Sequence, residues 1–136
     1  MTETLAVLIK VAERKVDAAQ LALNQTREAL AQCRARMDEL VREAEAAFAD
    51  AVGENDVVAL QAALAFDARI RRDLADLKQV ETAMQGQENA QCAQLQELFA
   101  GQKTYELLHE RQQLAARKAK AKKAQAALDD VAGRRR

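Results

Sequence analysis

The chain has 136 residues, which bounds it at one domain, and Ala, Glu, Lys, Leu and Arg supply 80 of them. Proline, serine and tryptophan are absent, which excludes turn-rich all-β folds and points to long helices. Basic and acidic residues balance at 21 each, so the total charge gives no pull towards nucleic acid.

Helical periodicity begins at once. Stepping alternately by three and four from Ile9 through Ala12, Val16, Ala19, Leu23, Thr26, Leu30, Cys33, Met37, Leu40, Ala44 and Ala47 to Ala51 gives thirteen positions, and only Thr26 is polar. An unbroken stripe of this kind asks for a partner helix along its length. Its mean step of 3.5 residues predicts a left-handed supercoil. Lys15, Arg27, Glu28, Arg34, Asp38, Glu39, Arg42 and Glu43 flank the stripe with charge. Helix one is expected over about 3–52.

Gly53-Glu54-Asn55-Asp56 is the one good turn in the chain. Gly53 suits the left-handed position after a helix, and Asn55 or Asp56 suits the start of the next. Helix two is expected over about 56–131. Its stripe is clear at Leu60, Ala63, Ile70, Leu74, Leu77 and Met84, and weakens across 85–91. It resumes at Leu95, Leu98 and Phe99, then at Tyr105, Leu107, Leu108 and Leu114. Gly86 and Gly101 each cost about 1 kcal/mol relative to alanine and mark places for a bend. The fold class is all-α: an antiparallel two-helix coiled coil, a long αα-hairpin forming a single domain over 1–136.

The two lengths differ. At about 1.5 Å per residue helix one is roughly 75 Å long and helix two roughly 114 Å. A turn at residues 54–55 leaves residues beyond about 105 without a partner, so an overhang of about 110–136 is expected. That segment carries nine basic and three acidic residues, whereas residues 1–109 carry twelve and eighteen. The neutral total therefore hides an acidic hairpin with a basic tip. Cys33 and Cys92 fall about 16 residues apart along the pairing, roughly 24 Å, too far for a disulfide.

Catalysis needs convergent groups in a pocket, and a two-helix hairpin is expected to have none. There is no serine nucleophile, no Gly-rich phosphate loop and no CxxC pair. His109 has no partner at a metal-ligand spacing and reads as a solvated side chain. No catalytic residue, cofactor or metal is expected. The apolar runs are too short to span a bilayer, so direct membrane insertion is not expected. The start, MTETLAVLIKVAERK, lacks the marks of a secretory signal, and the cysteines read as reduced cytosolic thiols.

Arg117, Lys118, Lys120, Lys122 and Lys123 form a basic run without interleaved aromatics. It reads as a solvated helical face or a contact for an acidic surface, and nucleic-acid binding is not expected. Phe66 lies off the cleanest register. It either covers the seam near the turn or belongs, with Ile70 and Leu77, to a docking face.

Two segments carry a family resemblance. VAERKVDAA at 11–19, after Leu5 and Leu8, resembles the opening of FliJ proteins, the coiled-coil component of the bacterial flagellar type III export apparatus. ELLHERQQLAARKAKAKKAQAALDDVAGR at 106–134 resembles their closing segment. There Glu110-Arg111 precedes a long basic helix that ends in Asp129-Asp130-Val131-Ala132-Gly133-Arg134. The acidic pair is more often Asp-Glu in the family, and aromatics are fewer here in the middle of the chain.

The resemblance implies a non-enzymatic, cytoplasmic stalk at the inner face of the membrane export apparatus. Its implied partners are the flagellar export ATPase hexamer, the membrane protein of the export gate, and export chaperones. Carried onto this chain, ATPase contacts fall on Leu5, Leu8, Glu110, Arg111, Arg117, Lys118, Asp129, Asp130, Val131 and Arg134. Gate contacts fall on Phe66, Ile70 and Leu77. Ile9, Val16, Leu23, Leu30, Met37, Leu40 and Leu74 hold the seam. The alternatives are an injectisome stalk protein of the YscO type, a nucleic-acid-binding helical arm like those of some tRNA synthetases, and a dimerising structural coiled coil.

Overall fold

The computed structural model describes residues 2–135; Met1 and Arg136 lie outside them. Two helices make up nearly all of it: α1, Thr2–Glu54, and α2, Val57–Arg134. Arg27 pairs with Glu88 and Arg34 with Glu81, so one number falls as the other rises and the helices run antiparallel. No strand occurs among the described residues.

The turn is tighter than expected and uses a different residue. Gly53 stays helical, and Asn55 takes the left-handed conformation with φ 54°. Asparagine tolerates that region better than most side chains do, so glycine is not required. The Asn55 N–H donates to the Val52 carbonyl at 3.3 Å and closes α1. Asp56 then caps α2: its carboxylate accepts the Val58 N–H at 3.1 Å, and its carbonyl accepts the Leu60 N–H at 3.0 Å.

All thirteen stripe positions of α1 are buried or half-buried, and Leu5 extends the stripe by one more step. Thr26 is buried with its hydroxyl donating to the Ala22 carbonyl at 3.1 Å, so its one polar group is satisfied. On α2 the stripe does not lapse after Leu77. It continues through Glu81, Met84, Glu88, Gln91, Leu95 and Leu98 to Gln102, Tyr105, His109 and Gln112, all half-buried. Phe99, Leu107, Leu108 and Leu114, which apolarity alone assigned to the stripe, are exposed. The spacing fixes the face even where the seam residue is Glu or Gln, and the apolar neighbours fall outside it. α2 runs through Gly86 and Gly101 without a break.

The chain divides into two compact units. In residues 19–93 the core is built from Leu23, Leu30, Cys33 and Leu40 of α1 with Ala63 and Ile70 of α2. In the unit formed by Met1–Ala18 and Gln94–Arg136, Leu5, Ala12 and Val16 are buried. There the covered face of α2 ends at Gln112, and every described residue from 113 to 135 is exposed. Coverage therefore reaches one heptad beyond the expected 105.

Leu30 is only 2% exposed, so a charge there is buried without a partner. Leu30→Asp should lower the stability of the full chain by several kcal/mol, read by thermal melting of the helical circular dichroism signal. An unchanged melting curve would show that this stripe is not the packing face.

Candidate functional site

Three surfaces carry the residues singled out from the sequence. The first lies near the turn, where seam positions Ala44, Ala47 and Ala63 are small. Alanine lets the helices approach but fills little volume, and a groove of about 510 Å³ opens beside the seam. Ile70 and Leu74 line it with exposed Val41, Phe48 and Leu64, and Glu45, Asp67 and Arg71 rim it. Of the expected gate residues, Ile70 is 4% exposed and Leu77 half-buried, so both are already taken up in the seam. The register that places Leu74 in the seam places them there too, and Ile70 also borders the groove. Phe66 remains half-open, with the Arg69 guanidinium 5.5 Å from its ring centroid.

The second surface joins the start of α1 to α2. A groove of about 190 Å³ is lined by Leu8, Val11, Ala12 and Lys15 on one side and Leu98, Gly101, Gln102 and Tyr105 on the other. Leu8 is 40% exposed and open to a partner. Leu5, expected beside it as a contact, is 8% exposed because it continues the seam. His109 is likewise not the solvated side chain expected. It sits on the seam with Nδ1 buried and unpartnered, and Nε2 lies 3.0 Å from Gln113 Nε2.

The third surface is the end of α2. Glu110, Arg111, Arg117, Lys118, Asp129, Asp130, Val131 and Arg134 are all exposed there. Asp130 pairs with Arg134 at 3.3 Å, and Asp129 accepts from Gln125 at 3.1 Å. Both contacts lie one turn apart on an exposed helix and are worth only about 0.3–0.5 kcal/mol, so a stronger partner can displace them. Arg117, Lys118, Lys120, Lys122 and Lys123 take part in no ion pair among the described residues. The seam residues Ile9, Met37 and Leu74 are half-buried, and Val16, Leu23, Leu30 and Leu40 are buried.

The seam carries a polar stretch that apolar periodicity does not reveal. Arg27 reaches Glu88 at 3.6 Å, and Arg34 reaches Glu81 at 3.4 Å and Gln85 at 3.0 Å. The signal was present as two arginines seven apart on α1 and two glutamates seven apart on the stripe of α2. Glu81 also accepts from Lys78 at 2.7 Å. That hydrogen bond holds its carboxyl below the ordinary glutamate range; partial burial opposes it, and the charges of Lys78 and Arg34 add to it. Cys33 and Cys92 are both free thiols. Cys33 is buried with Sγ 3.6 Å from the Leu77 carbonyl, and Cys92 is half-buried beside Arg27.

Among the described residues no cluster of His, Cys, Asp or Glu is placed to hold a metal ion, and no helix is long and apolar enough to cross a membrane. The fold is an all-α helical hairpin. The family model described as flagellar FliJ protein matches residues 1–136, the whole chain, and the chain belongs to the FliJ family. That family is a non-enzymatic component of the flagellar type III export apparatus. Searches of curated proteins and of solved structures return no match.

The lowered Glu81 carboxyl contributes stability that is present above its unfolded value and is lost as pH falls through the folded one. Glu81→Gln should therefore lose less melting temperature than the parent chain between about pH 6 and pH 3. Identical acid dependence in thermal melts of the two would show that the Lys78–Glu81–Arg34 contact does not couple to folding.

Proposed function

We propose that this chain is a non-enzymatic stalk and adaptor of flagellar export. In this reading the end of α2 binds and promotes assembly of the export ATPase ring. The hairpin couples that ring to the export gate and also receives export chaperones. The protein works in the cytoplasm, at the inner face of the membrane apparatus. One observation carries the reading: residues 113–135 form a basic helical segment that α1 does not cover, in a chain of the FliJ family.

An uncovered helix of this length is only marginally stable in water. Ala and Lys favour it, whereas Asp129 and Asp130 oppose the helix dipole near its C-terminus. The segment is therefore suited to order fully against a partner. Arg111, Arg117 and Lys118 would meet acidic ring residues, Glu110, Asp129 and Asp130 basic ones, and Leu8 and Val131 would supply apolar contact. Arg134, released from Asp130, joins the basic set. At the gate Phe66 supplies the accessible aromatic, while Ile70 and Leu77 act from within the seam by holding its helix in place.

Removing residues 115–136 takes away no described side chain that is buried. The truncated protein should keep the helical signal and melting transition of its hairpin but lose stimulation of the export ATPase, measured as phosphate release and as rings in electron micrographs. Full stimulation by the truncated protein would overturn the assignment of this segment to the ring. Strong, salt-dependent RNA binding by the intact chain, without any effect on the ATPase, would favour the nucleic-acid arm instead.

A further inference from the structure

The turn carries a charge pattern that the stalk reading does not use. Residues 43–68 hold six carboxylates, Glu43, Glu45, Asp50, Glu54, Asp56 and Asp67, and no lysine or arginine. Glu43 is paired with Arg36 and Asp67 with Arg71, and Asp56 caps α2. Glu45, Asp50 and Glu54 take part in no ion pair among the described residues. The same stretch exposes large apolar side chains: Phe48 at 47%, with Val52, Val57, Val58 and Leu64 more open still. Glu45 lies on the rim of the apolar groove, where the one cation, Arg71, is held by Asp67, and Asp50 and Glu54 lie towards the turn beside it. Unpaired negative charge next to exposed apolar side chains selects a basic amphipathic helix.

The chain contains such a helix. Leu114, Ala121 and Leu128 recur every seven residues on α2, and Val131 follows three later, so these four share one side of the uncovered segment with Arg117 among them. Leu114, Leu128 and Val131 are exposed, and five unpaired cations at 117–123 lie among them. We infer that the turn groove of one copy receives the basic end of α2 from a second copy. Each copy carries one surface of each kind. Two copies that exchange ends reciprocally make the same contact twice, and the assembly closes at a dimer.

The interaction is between exposed charges, so salt should weaken it. Sedimentation of the full chain in roughly 20 mM salt should show the mass rising with concentration from 15.0 kDa towards twice that value, and falling back in about 500 mM salt. Glu45→Lys with Asp50→Lys reverses the turn, and Lys118→Glu with Lys122→Glu reverses the tip. All four positions are exposed, so each variant should remain helical, which circular dichroism checks. Each variant alone should dimerise at least about tenfold more weakly, since the charge complementarity is then reduced in both contacts. An equimolar mixture should regain the parent affinity, because each reversed turn then meets a reversed tip and each native turn a native tip. The inference is overturned if the parent chain stays at 15.0 kDa up to about 200 µM in low salt, a concentration that populates even weak interfaces. It is equally overturned if either variant assembles like the parent, or if the mixture does not recover.

Discussion

Everything in this molecule depends on one requirement, that the stripe of α1 be kept from water over its whole length. A hairpin meets it with a single chain, and the second helix has no freedom in where its own stripe must lie. Leu23, Leu30 and Leu40 are the most deeply buried residues on one side, and Ile70 anchors the other. Outside these anchors much of the seam is alanine, at Ala12 and Ala19 and again at Ala44, Ala47, Ala51 and Ala63, which brings the helices close but buries little. No side chain is wholly sealed from solvent among the described residues. Stability is therefore spread along the seam rather than concentrated in a core.

The same economy decides what is left for partners. Where the seam is alanine, as near the turn, larger neighbours such as Phe48 and Leu64 stand beside a groove and stay exposed. Where α1 ends, α2 continues with its whole circumference in water, and there the sequence turns to lysine and alanine. Apolar residues that would serve as core in a globular domain become surface here. Leu107 and Leu114 lie on the face turned away from the stripe.

The fold was legible because heptad spacing is a geometric signal that survives in a single sequence. Both helices, their order and the place of the turn follow from it. The errors share a cause, which is that apolar character was used as a proxy for position. Glu81, Glu88 and Gln91 lie on the stripe of α2 although they are polar, and Phe99 and Leu108 lie off it although they are apolar. His109 was misplaced for the same reason, and carrying the spacing forward from Leu98 through Gln102 and Tyr105 places it correctly. The turn was located, but the residue that reverses the chain was misassigned, since asparagine and glycine both reach the left-handed region. The surface candidates fared unevenly. The exposed end of α2 follows from helix length alone, whereas the burial of Leu5, Ile70 and Leu77 depends on register.

The polar pairs of the middle seam also bear on sliding. A coiled coil of repeating small residues has several alignments of similar energy, because alanine against alanine scores alike in each. Two arginines and two glutamates, each seven apart, remove that degeneracy. Moving α2 by one heptad in one direction would keep Arg34 near Glu88 but bring Glu81 beside Val41 and Arg27 beside Leu95. Moving it the other way would keep Arg27 near Glu81 but bring Arg34 beside Leu74. Either slip breaks one of the two ion pairs and sets a charge against an apolar side chain. This short charged ladder acts as the key that holds the two helices in step.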